Sequence, residues 1–148
     1  MTNVMQRIQH WLHHLCRSAV ASAVLLTSQM AIAADHAVIL MYHRFGEDTI
    51  PSTNIRLEQF DQHLDILANG GYTVWPLGKI VAHMQTNQPL PDRTVGISID
   101  DAYRSVYTEA WPRLKEKGFP FTLFVATDPV DRDQRGYMSW TQIRELQN

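Results

Sequence analysis

Residues 94–103 read TVGISIDDAY, an apolar run that ends in two adjacent carboxylates, Asp100 and Asp101. Side chains alternate faces along a strand, so a continuing strand would aim one of the two into a core. An unpaired carboxylate is too costly to leave there. The strand is therefore expected to stop at Ile99. Where it turns out into a loop the alternation lapses, and both side chains can reach the rim. Two carboxylates so close repel each other unless a cation is near. A divalent ion resolves this, with one Asp as its ligand and the other taking a proton from a neighbouring water. A helix cap beside a solvated loop acid would account for the same pair without any chemistry.

The rest of the chain surrounds this strand with similar units. Ala37–Tyr42 (AVILMY) reads as a first strand buried on both faces. Leu57, Phe60, Leu64 and Leu67 recur at helical spacing before Gly70-Gly71. Tyr72–Trp75 is a short second strand closed by Pro76, and Leu77, Ile80, Val81 and Met84 mark a second helix. After the third strand, Thr94–Ile99, the segment Ser105–Lys117 is mostly helical, with Val106, Ala110 and Leu114 on one face. Pro112 calls for a kink or two short pieces, and Gly118 for a stop. Phe121–Ala126 (FTLFVA) is a fourth strand, and Thr127–Gly136 a polar loop. Ser139-x-x-Gln142 opens a last helix expected to run to Asn148.

Strands alternating with amphipathic helices imply a parallel sheet with right-handed crossovers. An open doubly wound sheet and a β/α barrel both fit. Either places its chemistry at the C-terminal ends of strands, where His43 and Asp100-Asp101 fall. Neither the dinucleotide nor the P-loop glycine pattern follows any strand.

Length and composition suit one globular domain: 148 residues, 45% hydrophobic and 19% charged. No basic cluster accompanies the net charge of −2, which weighs against nucleic acid. The N-terminal segment holds Arg7 and Arg17, an apolar stretch Ala19–Leu26, and Ala31-Ile32-Ala33, an A-x-A pattern. This reads as a secretory signal peptide over residues 1–33, its apolar stretch far short of the roughly 20 residues of a membrane span. An uncleaved anchor or a disordered tail is the other reading. Cleavage would remove the only cysteine, Cys16, and leave a mature net charge of −4. Any metal would then be held by N and O ligands.

Each candidate also has a structural reading. His43, as a lone residue, suits a hydrogen-bonded structural role as well as a site. Trp75, Trp111 and Trp140 could offer sugar-stacking faces or simply pack. His63 and His83 sit on helices and read as surface residues. Asp128, Asp131 and Asp133 lack the glycine and terminal glutamate of a calcium loop.

The run Ser98–Thr127 resembles the first motif region of the polysaccharide deacetylases, carbohydrate esterases that remove acetyl groups from sugars. Ser98-Ile99-Asp100-Asp101, Pro112-Arg113-Leu114-Lys115, Gly118 and Thr122-Leu123-Phe124-Val125 match its pattern in order. Leu40-Met41-Tyr42-His43, Phe60–Gly71 and Met138-Ser139-Trp140 with Ile143 are similar to its flanking parts. The resemblance implies a distorted (β/α) barrel of about seven strands, of which the four above are the N-terminal portion, residues 34–148. It implies Asp100 as catalytic base, Asp101 as ligand of a divalent metal, zinc by preference, and an acetylated polysaccharide as substrate. His43 and Tyr103 flank the pair as candidate substrate contacts. The family's His-x-x-x-His ligands have no counterpart, since no histidine follows His83. Ala102 stands where the family has glycine, which would alter the turn. The expected protein is an exported, periplasmic or extracellular deacetylase, inactive as this portion alone. A non-catalytic carbohydrate-binding or scaffold domain is the alternative, and Mg²⁺-dependent phosphotransfer a third, which wants a basic phosphate clamp that is absent.

Overall fold

The structure, a computed structural model, describes residues 33–48 and 50–147. Apart from Ala33, the expected leader lies outside them.

The sheet is organised around β7, Thr94–Asp100, whose residues are buried up to Ile99. β2, Val38–Tyr42, runs parallel along it, from Val38 opposite Val95 to Tyr42 opposite Ile99. β5, Thr73–Val74, pairs in parallel with the start of β7, and β8, Thr122–Phe124, with its end, placing Phe124 opposite Asp100. Helices make each crossover. α1 (Leu57–Asn69) joins β2 to β5, and α2 (Leu77–Gln85) joins β5 to β7. A π-helical turn, Val106–Ala110, runs into α3, Trp111–Lys117, before β8. Pro112 sits in the first turn of α3, so the two-piece expectation holds, and Gly118 closes the helix at φ 65°.

The register sorts the sheet's side chains into two faces. Leu40, Tyr42, Val95, Ile97, Ile99 and Leu123 face α1 and the 106–117 helix, where Phe60, Leu64, Leu67, Val106, Ala110 and Leu114 complete the core. Tyr42, Phe45 and Phe60 meet ring to ring, Phe45 and Phe60 edge-on at 4.7 Å. Ile39, Met41, Gly96, Ser98, Asp100, Thr122 and Phe124 share the other face. Part of it is closed at Gly96, whose missing side chain leaves room for Ile39 and Ile80; a Cβ there would lie 2.7 Å from Ile39 Cδ1.

The upper part of that face is bare, which corrects the first strand. Ile39 is 40% exposed and Met41 63%, so β2 is buried on one face, not two; Val38, on the core side opposite Val95, is exposed where the strand begins. The apolar run gave no alternation to reveal this, because the bare face is apolar too.

Other expectations shift at the edges. The third strand extends through Asp100, one residue past its expected end. The loop after His43 carries a parallel pair, β3 (Arg44–Phe45) with β4 (Asn54–Ile55). β1, Ala33–Ala34, pairs antiparallel with β6, Leu90–Pro91, so cleavage after Ala33 would cut between its two residues. The expected polar loop at 127–136 begins as a short helix, α4 (Thr127–Asp131), with Pro129 in its first turn. The last helix, α5 (Trp140–Glu145), has the expected capping box at Ser139 and Gln142 but stops before Leu146 rather than continuing to Asn148. No helix of the described residues is long and apolar enough to cross a membrane.

Candidate active site

Asp100 is the last residue of β7 and follows Ser98 on the bare face. Asp101 leaves the strand at φ 72°, and Ala102 follows at φ 60°. Two successive left-handed residues turn the chain so sharply that alternation ends, and both carboxylates line one open hollow of about 370 Å³. Met41, Ser98, Phe124, Val125 and Ala126 line the rest. The turn is pinned at both ends: the Asp101 amide donates to the Phe124 carbonyl at 2.8 Å, and the Met138 amide donates to the Ala102 carbonyl at 2.9 Å.

Ala102 thus adopts the left-handed conformation that glycine would take freely, with its methyl fully buried. The neighbouring bonds hold it in place.

His43, at the end of β2, brings Nε2 to 3.8 Å from Asp100 Oδ2, both side chains partly exposed. It lines a second hollow of about 330 Å³, with Met41, Tyr42, Arg44 and Ser52–Ile55. Met41 is common to both hollows. Tyr103 lines neither hollow: the Arg44 guanidinium lies 3.4 Å over its ring, and the Tyr137 ring is 4.8 Å away. Burial first, then a hydrogen bond to Tyr137, pushes the Tyr103 phenol up to about 12, against the pull of Arg44.

Three residues that no motif singled out, Arg44, Glu47 and Ser105, are linked beside Tyr103. Arg44 Nη1 donates to Glu47 Oε2 at 2.7 Å, and Ser105 Oγ donates to Glu47 Oε1 at 2.5 Å. The Phe45 amide donates to Ser105 Oγ at 3.2 Å, and the Glu47 amide to Asn54 Oδ1 at 2.8 Å. The only trace in the sequence is an Arg-x-x-Glu spacing, which signals a pair on a helix but here is made in a turn.

The other candidates do not join the site. His63 is exposed but accepts or donates at Nδ1 to the Tyr42 hydroxyl, 2.9 Å away. Trp75 is capped by Lys79 at 3.5 Å and by the His83 ring, and Trp111 lies beside Tyr107 and Lys115. Trp140 donates Nε1 to Asp131. Cations or carboxylates hold all three, so none forms a buried core ring.

Catalytic zinc ordinarily has three protein ligands and an open position. Among the described residues no group of three or more His, Cys, Asp or Glu side chains is placed to hold a metal ion. The donors present do not make a metal centre on their own.

Parallel strands joined by helices, with acids at the C-terminal ends of the strands, define part of a (β/α) barrel with its polar site at the usual rim. Comparison with known proteins makes this specific. The family model for polysaccharide deacetylase matches residues 87–148. YxkH of Bacillus subtilis (strain 168), which carries the polysaccharide deacetylase name, is 32% identical over 109 residues, covering 73% of this chain and 37% of that protein. The structure of IcaB from Ammonifex degensii matches with a TM-score of 0.68 and 31% identity over 77% of this chain and 49% of that one. The Streptococcus pyogenes deacetylase PplD, solved in complex with acetate, shares the fold with a TM-score of 0.67 at 22% identity, covering 75% of this chain and 51% of that one. The chain belongs to the polysaccharide deacetylase family. It spans 37% of the curated relative and about half of these two solved chains.

Proposed function

We propose that this chain supplies the base-bearing part of an exported hydrolase that removes acetyl groups from an N-acetylated polysaccharide or cell-wall glycan. The observation that carries the reading is the single hollow shared by Asp100 and Asp101, with His43 Nε2 3.8 Å from Asp100. In this reading Asp100 is the general base. It takes the proton of a water whose oxygen adds to the acetyl carbonyl carbon, and the C–N bond then breaks as that proton passes to the nitrogen, giving acetate and a free amine. His43 holds the Asp100 carboxylate and contacts the sugar, and Tyr103 walls the site through Arg44. Asp101 is one carboxylate toward a divalent ion, zinc by preference, whose remaining ligands the described residues do not provide. Export to the periplasm or beyond rests on the Ala31-Ile32-Ala33 pattern alone.

The incomplete ligand set favours one other reading, a carbohydrate-binding or scaffold domain without turnover. Acetate release from N-acetylated oligosaccharides separates the two when measured on the complete protein that carries this chain. Turnover that Asp100→Asn abolishes supports the enzyme. Glycan binding with no acetate release, with or without added zinc, overturns it. Export is tested separately: the mature N-terminus should be Ala34.

A further inference from the structure

Two loops meet at the site. One carries His43 and the other carries Asp100 and Asp101. The contacts that join them are made by residues just beyond the site on each side. Glu47 binds Arg44 with one carboxylate oxygen and Ser105 with the other, at 2.7 and 2.5 Å. The guanidinium of Arg44, next to His43, lies 3.4 Å over the ring of Tyr103, two residues past Asp101. Ser105, only 7% exposed, also accepts from the Phe45 amide. Arg44 Nε is buried with no hydrogen-bond partner. An unpaired buried donor is a cost, so the guanidinium is held by its ring contact and its ion pair and not by saturating its donors.

We infer that Glu47 is a positioning residue. With Arg44, Ser105 and Tyr103 it forms a clamp that fixes the His43 loop against the Asp100–Asp101 turn and so sets the spacing of His43 and Asp100. Glu47 touches neither residue. It acts on one loop through Arg44 and on the other through Ser105. A hydrogen bond to a charged group is worth about 1.5–3 kcal/mol, roughly 10–100-fold in an equilibrium. Losing both would release the two left-handed residues of the turn, whose conformation persists only while its surroundings enforce it. The catalytic part of this inference rests on the deacetylase reading; the mechanical part does not.

The test is amide hydrogen exchange on the full chain, comparing Glu47→Ala and Glu47→Gln with the unsubstituted protein. The Asp101 and Met138 amides, which pin the turn, should exchange at least about tenfold faster in Glu47→Ala, while Leu64 and Leu67 of α1 stay as before. Glu47→Gln keeps one acceptor oxygen and should fall between, so it also serves if the alanine variant does not fold. Unchanged exchange at Asp101 and Met138 overturns the clamp. An equal rise at all four amides shows a merely structural glutamate and overturns it as well. In the complete enzyme the same substitution should lower kcat about 10–100-fold with KM little changed, and glutamine should recover part of it. A change confined to KM overturns the positioning role. If the unsubstituted enzyme shows no turnover, the deacetylase reading fails while exchange still decides the clamp.

Discussion

His43 Nε2 stands 3.8 Å from Asp100 Oδ2, each at the C-terminal end of its own strand. The two strands are in parallel register, Tyr42 opposite Ile99, so the residue after each pair faces the same rim. Sheet register thus brings the two residues to the same rim. Asp101, in the same hollow, is oriented instead by its own backbone, at φ 72°.

Different origins predict different losses. In the complete protein, Asp100→Asn should reduce turnover by about 10²–10⁴-fold and leave metal bound, as loss of a general base does. Asp101→Asn should lose metal together with activity. Acetate release and metal content, measured on both variants, check this. Equal metal and equal activity in the two would remove the distinction between base and ligand.

The turn itself can be probed by stability. Ala102 has a left-handed backbone and a methyl with no exposure. Glycine would relieve roughly 1–2 kcal/mol of backbone strain. It would forfeit about 0.8 kcal/mol of buried methyl, and its freer unfolded chain would cost about 0.5–1 kcal/mol more. Ala102→Gly should therefore move the urea midpoint little in either direction. Ala102→Val, β-branched and without space, should destabilise by more than about 2 kcal/mol.

How much of this was legible in the sequence depends on what each residue answers to. The four parallel strands and their crossovers were legible because apolar runs and helical spacing are local. The Asp pair was legible because two carboxylates after a buried strand demand an explanation. The bare face of β2 was not, since Ile39 and Met41 look the same whether covered or open. Nor was the Glu47 cluster, whose partners come from separate segments and which no periodicity marks. The left-handed Ala102 ran against intrinsic preference: tertiary bonds at Phe124 and Met138 outweigh it.

Core packing gives a direct magnitude. Phe60 has no exposure and meets both Tyr42 and Phe45 ring to ring. Phe60→Ala should cost about 3–5 kcal/mol. Denaturant unfolding monitored by near-UV circular dichroism reads it, and a loss under 1 kcal/mol would show that α1 is not held to the sheet through this ring.

Stability should fall at high pH. Burial pushes the Tyr42 phenol from 10.0 up to about 12. The folded state therefore keeps a proton that the unfolded chain releases first. Tyr42's contribution is complete below pH 10 and is lost as pH rises from there toward about 12. Tyr42→Phe should flatten part of that slope, leaving the share of Tyr103, which is also raised to about 12. A slope unchanged by the substitution would mean that Tyr42 is not the group involved.

The last prediction concerns the uncovered face. Ile39, Met41 and Phe124 are all exposed by 40% or more on one face of the sheet, on the two strands that flank β7. Water gains by losing contact with such a patch, and strand ends beside it offer backbone groups for further pairing. The purified chain should self-associate as its concentration rises. The association should weaken with cooling, because apolar burial is entropy-driven near room temperature. Size-exclusion chromatography with light scattering over a range of concentrations measures it. Met41→Lys with Phe124→Lys places two like charges on the patch without touching the core on the opposite face, and should restore a monomer. Association that persists undiminished in this double variant would locate the contact elsewhere on the molecule, and a monomer at every concentration in the unsubstituted chain would show that the exposed face drives no association.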